Sequence, residues 1–500
     1  MMSRVRALLL LVVMGLVSGC VVGPNYVRPV VVAPEAYKEQ DGWKIARPQD
    51  DAFRGPWWER FEDPALNTLE ARVSAANLNL VVAEATYRQA RALVREARSA
   101  YFPTATLGVG YTRNRQSANL GPVSGGPSTS TGTGTHASSG GSNFFQLPLD
   151  IAWEPDFWGK VRRSVESSQA GAQASAGDLE TARLSFQAEL AQDYFQLRTL
   201  DAQKALLDAT VAAYEQSLAL TRSRRTSGVA SQVDVAQAEA QLKSAQAQYL
   251  DVGVLRAQLE HAIALLVGQP PSAFSLPASP LATAPPSIPV GVPSELLQRR
   301  PDVAAAERRV ASANAQIGVA IAAFYPTITL SASTGFESSG IATWLTWPSR
   351  FWSVGPGISQ TLFDGGLRRA QTDAARAAYD ASVATYRQTV LGAFQGVEDN
   401  LAALRILADE AGVQDEAVAA ARQSVTLTTA QYRAGTVSYL NVITTQTIAL
   451  GDEVTAVQIL GRRMTAAVLL VEALGGGWSD TDLPSAHEVT ERKPASARTP

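Results

Sequence analysis

Apolar residues over much of the chain recur at alternating three- and four-residue spacing. Phe186, Leu190, Tyr194, Leu197 and Leu200 lead into Leu207, Val211, Tyr214 and Leu218. Val383, Tyr386, Val390, Phe394, Val397, Leu401 and Leu404 keep the same rhythm further on. This is the seam of a coiled coil, and the Ala and small polar residues between seam positions let helices approach on more than one side. No proline interrupts residues 159–227 or 366–434. Each stretch therefore predicts one helix of roughly 70 residues, on the order of 100 Å at 1.5 Å per residue. A compact domain has no use for such a helix.

Elsewhere the period changes to two. Leu107, Val109 and Tyr111 alternate with small residues; so do Phe145, Leu147, Leu149, Ile151 and Trp153; then Ile328, Leu330, Ala332 and Phe336; then Trp352, Val354, Ile358 and Leu362. These predict four strands of about 10 residues, the length of a tilted membrane-crossing strand. Aromatic residues gather at their ends, among them Tyr101, Phe102, Trp153, Phe157, Trp158, Phe324, Tyr325, Trp344, Trp347, Phe351 and Trp352. That grouping resembles the interfacial girdle of outer-membrane barrels. A soluble sandwich edge with aromatic anchors is the other reading, and four strands make a poor soluble sheet.

The pattern occurs twice. Tyr101-Phe102-Pro103-Thr104 returns as Phe324-Tyr325-Pro326-Thr327, Trp158-Gly159-Lys160-Val161-Arg162-Arg163 as Asp364-Gly365-Gly366-Leu367-Arg368-Arg369, and Ser227-Gly228-Val229 as Ala434-Gly435-Thr436. Three landmarks in the same order give each half one plan: helix, strand, loop, strand, very long helix, Gly turn, long helix. Residues 116–143 have the Gly/Ser/Thr/Pro composition of a flexible loop, and 269–293 form a Pro-rich link. The expected division is a signal peptide 1–19, an anchored segment 20–60, a first repeat 61–268, the linker 269–293, a second repeat 294–475 and a flexible tail 476–500.

Composition narrows the function. Lys plus Arg total 43 and Asp plus Glu 46, a net charge of −3, so no basic field is present to hold a nucleic acid. Charged residues are 18% and no apolar run approaches the roughly 18 residues of a spanning helix, which excludes a helical membrane bundle. Three histidines and one cysteine leave little for a metal site, a redox couple or a disulfide framework. Neither G-x-S-x-G, nor a phosphate-binding P-loop, nor H-E-x-x-H, nor G-x-G-x-x-G after a strand is present. No enzyme, cofactor or metal is expected, and Glu307, Glu398 and Asp399 sit in helical patterns as solvated or helix-pairing groups.

Arg4 and Arg6 precede the apolar stretch 7–17, a charged start and short apolar core typical of a secretory signal. It ends in Val17-Ser18-Gly19-Cys20, which resembles the lipobox of bacterial lipoproteins. The resemblance implies a diacylglycerol thioether and N-acylation (palmitate) on Cys20, cleavage before it, and, with Val rather than Asp at 21, an outer-membrane destination.

Four motifs carry a wider resemblance: Val22-Gly23-Pro24-Asn25-Tyr26; Trp57-Trp58-Glu59-Arg60-Phe61 with Asp63-Pro64; Arg299-Arg300-Pro301-Asp302-Val303 leading to Ala315-Gln316-Ile317-Gly318; and the two Tyr/Phe-Pro strand starts. Over nearly all of the mature chain the sequence resembles the outer membrane factors, the TolC and OprM type of exit channel, in its lipoprotein NodT-like branch. The resemblance implies an α+β membrane protein in which long coiled-coil helices form an α-barrel crossing the periplasm. Four strands per chain would contribute to a trimeric twelve-stranded outer-membrane β-barrel. The trimer also follows from physics, because four strands cannot close in lipid, open edges are forbidden there, and about eight strands enclose only packed side chains.

By resemblance the homotrimer docks through a periplasmic adaptor (membrane fusion protein) onto an inner-membrane efflux pump, and passes drugs or other small solutes outward. A duct for protein secretion and a periplasmic coiled-coil scaffold without a pore are the alternatives. Ser227, Gly228, Val229, Ala434, Gly435 and Thr436 are the expected adaptor-docking tip, with Gly free to take φ > 0 and close each helix. Leu440 and Thr444 lie one turn apart on the following helix and are the expected pore gate. Relatives of the OprM type carry Asp at the second position; with Thr444 instead, Asp452 and Glu453 are the candidates for pore charge.

Overall fold

Asp63 opens the first helix. Its carboxylate accepts from the Ala65 and Leu66 amides, and Pro64 fills the first turn, where no amide partner is needed. The structure is a computed structural model that describes residues 21–31, 33–34, 36–39, 55–115, 117, 141–281, 283–288 and 298–491. Cys20, most of the 116–143 loop and linker residues 289–293 lie outside these. In chain order the elements are α1 (Pro64–Ala76), α2 (Leu78–Ser99), β1 (Thr104–Leu107), β2 (Gly110–Asn114), β3 (Ser142–Trp153), α3 (Lys160–Thr226) and α4 (Gln232–Leu266). Then follow α5 (Pro301–Ala322), β4 (Thr327–Ser338), β5 (Arg350–Ser359), α6 (Leu367–Ala434) and α7 (Tyr439–Ala473). The long helices come in matched lengths, 67 and 35 residues for α3 and α4, 68 and 35 for α6 and α7.

Contacts divide the chain into two units. The first holds residues up to 27, 92–169 and 311–380; the second holds 28–91, 170–310 and 381 onward.

The first unit is built on one antiparallel sheet in the order β1-β3-β4-β5, with β2 also paired to β3. Five strands stand where four were expected, because the first lane is cut in two. Leu107 pairs with Leu149 and Gly110 with Gln146, so the register continues across the break, opposite Pro148. The Gly108 amide donates to the Pro148 carbonyl at 2.9 Å, but proline has no N–H to return the bond. Register then assigns the faces. Leu107, Leu149, Thr334 and Trp352 share one cross-strand row, while Thr106, Asp150, Ser333 and Ser353 share the adjacent row on the other face. One face is thus mainly Leu, Val, Ile, Phe and Trp, the other Thr, Ser, Gly, Gln, Asp and Glu. Among the described residues this apolar face is exposed in large part: Leu107 is 69% exposed, Trp352 72% and Val354 74%.

Aromatic contacts sit at both strand ends. Trp158 stacks on Tyr325 at 4.9 Å and Trp153 Nε1 donates to the Tyr101 carbonyl at one end. At the other, Phe145 lies between Tyr111 (4.8 Å) and Trp344 (5.7 Å). The outer edges of β1/β2 and of β5 pair with no strand among the described residues.

The second unit is helical. Seam positions Leu190, Tyr194, Leu197, Leu207, Tyr214 and Leu218 are buried, as are Tyr386, Val390, Phe394, Val397, Leu401 and Leu404. By length and composition α7 could cross a membrane, where the sequence reading saw no such run. Its Ile459, Met464, Val468 and Val471 are buried within this unit, which makes it a core helix. The Trp57–Phe61 turn packs Phe61 on Phe195 at 4.9 Å, and Tyr194 donates to Asp63 at 2.6 Å. An anchored segment ending at residue 60 therefore cuts through a packed turn.

The Arg-Arg-Pro-Asp motif also has a structural role. Arg300 pairs with Asp302 and donates from Nη1 to the Ala473 carbonyl at 2.8 Å, capping α7. The start of the Pro-rich link is fastened rather than loose: Arg198 and Arg256 hold the Pro277 and Leu276 carbonyls, and Asp201 accepts from the Ser279 amide. The tail expected to be flexible from 476 is packed as far as Glu491. Val489 is fully buried, and Arg91 holds the Glu488 and Val489 carbonyls.

Candidate functional site

The two Gly turns close their helices in the same way. At the end of α3 the Gly228 amide donates to the Arg225 carbonyl at 2.9 Å and the Val229 amide to Arg224 at 2.8 Å. At the end of α6 the Gly435 amide donates to Tyr432 and the Thr436 amide to Gln431, both at 3.0 Å. Each pair of bonds is a Schellman cap, which needs a left-handed residue, and Gly228 (φ 76°) and Gly435 (φ 78°) supply it. Space does not demand glycine there: an added Cβ at 228 would meet no atom within 4 Å, and at 435 only Arg224 Nη2 at 3.7 Å. Ser227 Oγ donates to the Ser223 carbonyl, Thr436 Oγ1 to Gln431, and Val229 is 65% exposed. Ser231 and Asp234 then start α4 with a reciprocal capping box.

Residues that the sequence reading did not single out bring the two turns together. Arg224 lies over the Tyr432 ring at 4.6 Å and donates from Nη1 to the Arg433 carbonyl at 3.0 Å, so one helix end caps the other. Behind it Tyr214, Leu218, Val235, Ala238, Leu242, Tyr432, Tyr439 and Val442 form one buried cluster. Within it Tyr432 and Tyr439 are 5.3 Å apart and Tyr439 Oη is 3.2 Å from Ser217 Oγ. Of the cluster's tyrosines, Tyr214 stands at a seam position in the sequence. Arg224 gave no signal beyond being a basic residue in a last helical turn.

Leu440 and Thr444 are both exposed on α7. Leu440, 54% exposed, borders a groove of about 470 Å³ between α4 and α7 whose lining includes Tyr214, Gln241, Ser244, Ile443 and Thr447. Thr444 Oγ1 donates to the Leu440 carbonyl at 3.0 Å, so its proton is committed and it offers lone pairs and a methyl group. The two alternative charges are partly engaged. Glu453 pairs with Arg422, while Gln414 donates to the Asp452 carbonyl at 3.0 Å and to its carboxylate only at 3.4 Å. Among the described residues no group of His, Cys, Asp and Glu could hold a metal.

With these features in place, relatives give the context. The profile described as "Outer membrane efflux protein" matches residues 71–269 and 292–476. The solvent efflux pump outer membrane protein SrpC of Pseudomonas putida is 31% identical over 477 residues, covering 93% of this chain and 97% of SrpC. The pyoverdine export outer membrane protein OpmQ of Pseudomonas aeruginosa is 30% identical, with 84% of this chain and 87% of OpmQ covered. Among solved structures, the outer-membrane channel OprN superposes with a TM-score of 0.82 at 31% identity, over 92% of this chain and all of OprN. The matched span takes in both sets of long helices, the whole sheet and both Gly turns: the chain belongs to the outer membrane efflux protein family.

Proposed function

We propose that the protein is the outer-membrane exit channel of a tripartite efflux system, working as a homotrimer that passes small solutes from an inner-membrane pump and its periplasmic adaptor to the exterior. The observation that carries this reading is the sheet. Among the described residues it has an exposed apolar face, a polar opposite face and two unpaired edges; a monomer in water would leave the apolar face uncovered, and a monomer in lipid would bury the polar face and the open edges without partners. Joining β5 of one chain to β1/β2 of the next removes all edges, turns the apolar faces to lipid and lines a lumen with Thr, Ser and Gly. A scaffold without a pore has no use for such a face. The matched helix lengths support two structural repeats per chain.

The family supports the efflux role, and the Gly turns are the proposed adaptor contact, with Ser227, Val229, Ala434 and Thr436 flanking them. Leu440 and Thr444 are the proposed gate, closing by apolar and uncharged polar contact. Cys20 is the proposed acylated residue, anchoring a protein whose helices extend into the periplasm. The test is rescue of a drug-sensitive host that lacks its own exit channel. Paired with a matching pump and adaptor, this chain should restore resistance, and heat should convert its trimer band to a monomer band on gels. A monomer band in unheated membrane samples contradicts the reading.

A further inference from the structure

The first described residues do not trail from the sheet unit; they are seated in it. The Val22 amide donates to the Trp158 carbonyl at 3.1 Å. Arg163, only 4% exposed, donates from Nε to the Val22 carbonyl (3.3 Å) and from Nη2 to the Gly23 carbonyl (3.2 Å) and Asn25 Oδ1 (2.9 Å). Its remaining nitrogen, Nη1, pairs with Glu166 at 2.8 Å. From α5, Asn314 Nδ2 donates to the Pro24 carbonyl at 3.0 Å.

Two glycines make the close approach possible. Gly23 has φ 93°, and a Cβ on it would stand 2.5 Å from the Gly318 Cα; a Cβ on Gly318 would stand 2.8 Å from Arg163 Cγ. A buried guanidinium that spends three of its donor contacts on one short segment is a binding arrangement, because those bonds, together with the Glu166 pair, offset its desolvation.

The second half of the chain provides a control. By the sequence landmarks, Arg163 corresponds to Arg369 and Gly318 to Arg95. The Arg369 side chain is exposed and makes no hydrogen bond or ion pair among the described residues, and Gly365, the counterpart of Gly159, has no atom within 4 Å of an added Cβ. The counterpart of Gly159 is therefore empty, whereas Gly159 itself faces Val21, whose Cγ1 would lie 2.9 Å from an added Cβ. A helix start of the same pattern has a buried Arg only where a Gly floor and the N-terminal segment meet it.

We propose that Arg163, with Gly23 and Gly318, forms a seat for the chain's own residues 21–25, and that this seat fixes the lipid-bearing end of the chain beside the Trp158–Tyr325 stack. The lipid part rests on the acylation of Cys20 proposed above. Residues 21–25 are then a fixed part of the membrane unit rather than a free tether for the lipid, and Arg163 is a positioning residue for them.

Amide hydrogen exchange of residues 21–27 in the purified full-length protein tests the seat. Arg163→Ala should speed exchange of this segment by about tenfold or more, leaving the helices of the second unit unchanged. Gly23→Val alters only the segment and should do the same, which keeps the test valid should Arg163→Ala fail to fold. Cys20→Ser should leave the segment as slow as in the unmodified protein. Unchanged segment exchange in Gly23→Val, or in a folded Arg163→Ala, overturns the proposal. Fast exchange in Cys20→Ser also overturns it, since the lipid and not the seat would then hold the segment. Intact mass of the same samples reads acylation separately.

Discussion

Glu70 is buried at a cost to stability. It stands on the buried stripe Leu66, Leu69, Glu70, Val73 of α1, is fully buried, and neither carboxyl oxygen has a hydrogen-bond partner. Burial pushes its pKa up to about 9, so the folded protein holds a proton that the unfolded chain releases above about 4.5. Folding then binds a proton between these two values, and stability falls as pH rises through that window. At pH 7 the cost is on the order of 3 kcal/mol. Glu70→Gln should raise the thermal midpoint at pH 7–8 and make no difference below about pH 4.5; equal midpoints at both pH values would count against a buried proton.

At the gate, Thr444→Asp should set carboxylates where hydroxyls now bond their own helix, raising one another's pKa and drawing multivalent cations. Divalent ions should block the conductance of that variant strongly and of the unmodified channel weakly. Leu440→Ala should raise leak. Strong block of the unmodified channel would place a carboxylate, such as Asp452, in the pore.

The Gly turns are legible as elements because a cap that needs φ > 0 leaves a sequence mark. Gly228→Leu meets open space at its Cβ and Gly435→Leu only ordinary contact with Arg224, so each should cost the left-handed strain of about 1–2 kcal/mol, leave trimer assembly intact and abolish efflux. Loss of the trimer instead would make the turn purely structural. The strands were legible by alternation and the long helices by their seams and lack of proline, since periodicity records which side of an element is covered. The split of the first strand was not, because its cause, Pro148, lies on the partner strand and acts only once register is known. Tertiary clamps were equally hidden. Arg224 reads as an ordinary basic residue near a helix end, Arg163 and Arg300 as members of a repeated landmark and a motif, and only the fold shows which carbonyls they hold. The tail past 476 read as loose for a related reason: its hold comes from Arg91, some 400 positions earlier in the chain.

For the whole molecule, the proposed membrane-inserted assembly rests on the exposed apolar sheet face and on the strand edges left unpaired among the described residues. Intact-mass analysis should find Cys20 as the first residue, carrying acyl groups, and a Cys20→Ser protein should lose them yet still insert, because the barrel spans the bilayer by itself. An unmodified terminus at another residue would remove the lipid anchor from the account. The central claim is a continuous water-filled duct built by three sheets, and single-channel recording of the purified protein in planar bilayers tests it most directly. Such a duct should give long-lived conductance steps of one unit size, more frequent or larger for Leu440→Ala. A bilayer that takes up the protein in both forms and stays electrically silent would contradict it.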